Sequence, residues 1–124
     1  MLAVALALAA SPVAAIEARP RLLVVTAPAP DDRSLIVQRR AIAGWRQGAA
    51  ERDLRVVEVV GDRVTGAQED ARTLRRRYHL PASRFAVVLV GKDRSVAMRA
   101  ATPLPAARLE ATIDAMPMRR AGQR

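Results

Sequence analysis

The sequence predicts an α/β domain, and three observations carry that prediction. Apolar runs of strand length recur at 21–27, 54–60 and 85–90. The stretches that follow the first two carry apolar residues at helical spacing, and the third continues through a polar turn into a shorter alternating run. The expected order is βαβα, then a β-hairpin and a C-terminal helix.

Each element has its own warrant. "RLLVVTA", Arg21 to Ala27, is continuously apolar and rich in valine after its first residue, as expected of a strand covered on both faces. Pro28 and Pro30 punctuate the loop that follows, and Asp31 and Asp32 are placed to accept hydrogen bonds from the free N–H groups of a helix beginning near Arg33. Leu35, Ile42, Trp45 and Ala49 form the apolar face of that helix, leaving Gln38, Arg39, Arg40 and Arg46 for the wetter side, and the helix is expected to end near Arg52 and Asp53. "LRVVEVV", Leu54 to Val60, is the second strand, with "GDRVTG" as the turn after it.

Thr65 and Gln68 have capping-box spacing, and Ala67, Ala71, Leu74 and Tyr78 share one helical face, which predicts a second helix from about Gly66 to Tyr78. Leu80, which precedes Pro81, is pushed out of helical geometry and ends it. Phe85 to Val90, the turn after it, and the run through Val96 and Met98 predict a β-hairpin whose first strand is buried. Pro105 suits the first turn of a last helix with the apolar stripe Leu109, Ile113 and Met116. Pro117 closes that helix, and the basic tail is expected to fray.

Composition narrows the function classes. A chain of 124 residues, 51% hydrophobic and 27% charged, is one globular domain with a modest core. Aromatics are confined to Trp45, Tyr78 and Phe85, so packing rests on small and branched side chains. There is no cysteine, which excludes thiol catalysis and cysteine-ligated metal sites, and no cofactor is expected. Residues 1–15, "MLAVALALAASPVAA", read as an export signal with Val13 and Ala15 at the small-residue positions, leaving a mature domain at 16–124. An apolar N-terminal helix packed on the domain is the other reading of those residues. No later run is long and apolar enough to span a bilayer. The expected location is therefore periplasmic or secreted, and the net charge of +9 favours an acidic partner or surface.

Two parallel strands joined by a crossover helix, then an antiparallel pair and a covering helix, is the order of the thioredoxin fold. "RLLVVTAPAPDD", "ERDLRVVEV", "LRRRYHLP" and "FAVVLVGKDRSVAMR" together resemble the thioredoxin-like family catalogued as domain of unknown function 4174. Gly91, Lys92 and Asp93, the turn after the third strand, are the most specific piece of the likeness. The resemblance implies a short exported bacterial protein related to domains of animal extracellular-matrix proteins.

Candidate chemistry is sparse. Thioredoxin-like enzymes carry a cysteine where the loop meets the next helix, whose dipole stabilises the thiolate. Here Thr26 to Asp32 offers two acids and no sulfur, so the loop reads as a capped turn. Arg84 faintly matches the arginine of peroxiredoxins but has no cysteine to activate. Glu58, within the valines of the second strand, is expected at an edge or beside an arginine. His79 is the sole histidine and a poor metal ligand without a second one nearby. Arg72, Arg75, Arg76 and Arg77 project from the second helix opposite its apolar stripe and form a candidate anion- or partner-binding face; a solvated helix face gives the same pattern. Nucleic acid is disfavoured, because the aromatics are committed to the core and leave no stacking platform. The leading expectation is a non-catalytic binding or accessory domain of the cell envelope, engaging an envelope protein or an acidic surface. The alternatives are a degenerate relative of a peroxiredoxin-like oxidoreductase and a polyanion binder.

Overall fold

The computed structural model describes residues 18–122. The expected export signal at 1–15 lies outside the described residues. Strand β1 (Arg21–Ala27) is followed by helices α1 (Arg33–Ala43) and α2 (Arg46–Glu51), then by strands β2 (Leu54–Val60) and β3 (Arg63–Thr65) and helix α3 (Ala71–Tyr78). Strands β4 (Ala86–Val90) and β5 (Val96–Ala100) and helices α4 (Ala106–Asp114) and α5 (Pro117–Arg120) complete the order. One sheet results, with the strands arranged β3-β2-β1-β4-β5. β1 runs parallel to β2, pairing Leu23 with Val56, and antiparallel to β4, pairing Leu23 with Leu89.

The alternation of side chains along a strand explains the layers. Leu23, Val25 and Ala27 of β1 and Val87 and Leu89 of β4 face Leu35 of α1 and Leu109 and Ile113 of α4. Val24, Val57, Val59, Val88 and Val90 point the other way, onto Ala71, Leu74 and Tyr78 of α3. Helices therefore cover both faces, which is why β1 and β4 read as continuous apolar runs. Both strands are buried along almost their whole length.

Several expectations are corrected. The first helix is not continuous: it stops at Gly44, and Trp45 takes a non-helical conformation as the cap of α2. The break lets the indole lie against Gly48, where an added Cβ would collide with the ring, and under the guanidinium of Arg52 at 5.7 Å. Gln38 is buried rather than wet. Its amide donates to the Leu104 carbonyl at 3.0 Å and accepts from the Leu104 N–H at 2.7 Å, so it serves a backbone segment that has no strand or helix partner.

The predicted turn after β2 contains the edge strand β3, which pairs Val60 with Arg63 across Gly61 and Asp62. The second helix begins at Ala71, not Gly66, and its cap is Asp70, whose Oδ1 accepts from the Thr73 N–H at 2.8 Å. Gly66 has a φ of +86° and its Cβ position is filled by the Val56 carbonyl, so the chain there passes over β2 in a left-handed conformation that excludes a helix start. The third strand begins at Ala86, one residue after Phe85. Pro105 caps α4 from outside its first turn, and that helix ends at Asp114, before Met116. The basic tail is not wholly frayed, because Pro117 opens α5 instead of only closing the helix before it.

Candidate functional site

At the C-terminal end of β1 the loop is closed by its own caps. Asp32 Oδ1 accepts the Leu35 N–H at 3.0 Å, while Pro28, Pro30 and Asp31 are exposed. Thr26 is buried and its hydroxyl donates to the Pro81 carbonyl at 3.4 Å. Glu58 has the partner arginine expected of it: Arg39 holds it through Nε at 3.0 Å and Nη2 at 2.7 Å. His79 is exposed at the end of α3, with a left-handed φ of 53°. Arg84 is exposed before β4. Among the described residues, no group of three His, Cys, Asp or Glu could hold a metal ion, and no helix is long and apolar enough to cross a membrane.

The structure divides the arginines of α3. Arg72 and Arg76 extend into solvent, one helical turn apart, beside the capping Asp70. Arg75 instead turns inward, where Nη2 donates to the Gly61 carbonyl, and Arg77 pairs with Glu69 at 2.7 Å. Glu69 and Asp70 are held below the usual carboxylate range, Glu69 first by a backbone N–H and then by Arg77, Asp70 by the Thr73 N–H. Next to this helix runs a groove of about 580 Å³ that adds Arg55 and Arg94 to Arg77 on its walls, with Leu22 and Tyr78 beneath. The C-terminal end of α3 is finished from β5, where Arg99 donates to the carbonyls of Tyr78 at 2.6 Å and His79 at 3.2 Å.

The end of the sheet where β1 begins gathers more charge. The turn Gly91, Lys92 and Asp93 is tied by the Gly91 N–H to the Ser95 carbonyl at 2.9 Å and by Asp93 Oδ1, which accepts the Ser95 hydroxyl at 2.6 Å and its N–H at 3.0 Å. Those bonds keep the Asp93 carboxyl below its ordinary range. Arg94 follows with a φ of 69° and donates to the Pro20 carbonyl at 2.7 Å. Lys92 is buried, with Nζ 3.1 Å from Asp53 Oδ2, so the turn is clamped to the start of β2.

Beside it Arg52, also buried, donates to Asp114 through Nε at 3.0 Å and lies 3.1 Å from Glu110. Arg119 reaches the same Asp114 at 3.2 Å. Arg52 first and Arg119 after it hold the Asp114 carboxyl low. Arg21 completes the group. Its Nη1 donates to the Arg52 carbonyl at 2.7 Å, and it forms one wall of a cavity of about 360 Å³ that is otherwise bounded by the Gly91–Ser95 turn, Ala97, Met116, Pro117 and Met118.

A family model described as Domain of unknown function (DUF4174) matches residues 12–122. The chain belongs to the DUF4174 family. No curated protein and no solved structure matches it. In this DUF4174 chain the Gly91–Asp93 turn lies at the end of the sheet where β1 begins and the α3 arginines on the helix that covers one face, with Arg94 next to the turn sharing a groove with Arg77. Sequence reasoning missed Arg21, Arg52 and Asp114. Arg21 opens an apolar run and reads as a flanking charge, yet the parallel register pairs it with Leu54 inside the sheet. The faint signal was available: an arginine in strand register beside two covered neighbours has to bury its stem.

Proposed function

We propose that this DUF4174 chain is a thioredoxin-like domain of the cell envelope that works by binding an acidic protein surface and performs no thiol chemistry. Two features support the thioredoxin-like assignment: the core order β2-β1-β4-β5, with β1 parallel to β2 and the rest antiparallel, and a covering helix on each face. The loop at which such enzymes carry their reactive sulfur is here Pro28 to Asp32, with its carboxylate engaged in capping α1. Export rests on residues 1–15, as argued from the sequence.

One observation carries the binding reading. Arg72 and Arg76 stand in solvent on α3, the helix that also borders a groove lined by Arg55, Arg94 and the Arg77–Glu69 pair, so arginines outnumber acids on this side of the helix. Guanidinium forks match carboxylate geometry and are weakly hydrated, which suits an acidic protein surface. The test is crosslinking in the intact envelope, comparing the wild-type chain with Arg72→Gln/Arg76→Gln. Arg75 and Arg77 are left alone because each holds a structural contact. A discrete partner captured by the wild type and lost from the double variant is the expected result. Equal capture by both forms overturns the assignment of the face.

A further inference from the structure

The cavity at the start of β1 contains a charge with too few oxygens around it. Arg21 is 1% exposed. A guanidinium carries several N–H donors, and among the described residues Arg21 uses its side chain for one hydrogen bond, to the Arg52 carbonyl. Its Nε is buried without a hydrogen-bond partner among the described residues. The acids nearby are taken by other cations, Asp53 by Lys92 and Asp114 by Arg52 and Arg119. Burial pushes the Arg21 guanidinium below its ordinary value, Arg119 adds to that, and Asp53 and Asp114 work against it from a distance. A buried cation without a counter-ion is costly, and the cost falls when an anion occupies the space next to it.

The rest of the cavity defines what such an anion must look like. Met116, Pro117, Met118 and Ala97 make its other walls apolar, and methionine side chains adapt to chains of varied shape. The space of about 360 Å³ falls at the small end of ligand pockets. Asp93 sits at the rim and repels a second negative charge. We propose that this cavity binds a small organic monocarboxylate, its carboxylate acting as the counter-ion of Arg21 and its apolar chain lying against Met116 and Met118. An inorganic anion would leave the apolar walls uncovered, and a neutral chain would leave the guanidinium unpaired. The cavity shares no lining residue with the groove beside α3, so neither reading depends on the other.

Calorimetric titration of the full chain with sodium hexanoate tests this, with 1-hexanol and inorganic phosphate as comparison probes. Hexanoate is expected to bind at least about tenfold more tightly than either, because it alone pairs the guanidinium and covers the apolar walls. Arg21→Lys, which keeps the charge but loses the planar fork, should weaken hexanoate binding. Since a change at a buried arginine also risks the fold, Ala97→Trp provides a second test: it adds bulk at an exposed lining residue with Arg21 in place and should lower hexanoate affinity by at least about tenfold. Three outcomes overturn the proposal: no hexanoate binding, hexanol or phosphate binding as tightly as hexanoate, or unchanged affinity in Ala97→Trp.

Discussion

Gln38 shows how much one side chain decides in this domain. The amide closes both hydrogen-bonding positions of Leu104, a buried residue on the approach to α4, and so fastens α1 to a segment far away in the chain. Replacing it with leucine keeps the volume and strands a buried N–H and a buried carbonyl. Gln38→Leu should therefore destabilise the fold by about 2 kcal/mol or more, read as a lower urea midpoint with an unchanged slope. Helical spacing places Gln38 between Leu35 and Ile42, close to the apolar stripe, but residue type argued for water and the position argued for the core. Arg21 misleads in the same way. Its stem is dictated by strand register, whereas the shortage of oxygens around its head depends on where Asp53 and Asp114 are pulled by Lys92 and Arg52, which is a tertiary fact.

Elements were legible where local pattern and tertiary demand agree. β1 and β2 occupy the expected 21–27 and 54–60: β1 as a covered run of apolar residues, β2 as a valine-rich run whose Arg55 and Glu58 fall at less covered positions. The pattern failed where one residue reverses the chain. β3 is three residues long, too short to alternate visibly, and exists because Gly61, with a φ of 57°, turns the chain back along β2. Gly66 then lies over the Val56 carbonyl and delays α3 until Asp70 can cap it. Ala at that position meets both the left-handed backbone and the carbonyl. Gly66→Ala should cost about 2 kcal/mol or more in thermal or urea unfolding, and an unchanged midpoint would mean the β3–α3 connection is not held as described. The candidate face on α3 was readable as a set of four arginines. Their division into two solvent-facing and two internally bonded ones was not, since Gly61 and Glu69 are brought to them only by the fold.

For the molecule as a whole, ion pairs fasten the end of the sheet where β1 begins to α4 and α5. Asp114 receives Arg52 and Arg119, and its folded pKa is depressed, chiefly by the Arg52 hydrogen bonds. A depressed carboxylate contributes stability above the unfolded-state value of about 3.9 and loses that contribution as pH falls through the lower folded value. The stability gap between wild type and Asp114→Asn should thus be flat from neutral pH to about pH 5 and narrow below about pH 4. A gap that persists undiminished at pH 2–3 would assign the effect to packing instead.

The sheet order has a consequence for how the chain is made. β1 comes first among the described strands, yet it is the central one, and its antiparallel neighbour β4 is complete only when Val90 has emerged. Until then one side of an almost wholly apolar strand has no partner, and β2 can close only the other. Native structure is therefore deferred until β4 has been made, because the pairing that completes the core joins residues far apart in the chain. A nascent chain ending before β4 is a half-built sheet with an open hydrophobic edge, the state that a chaperone finds easiest to hold.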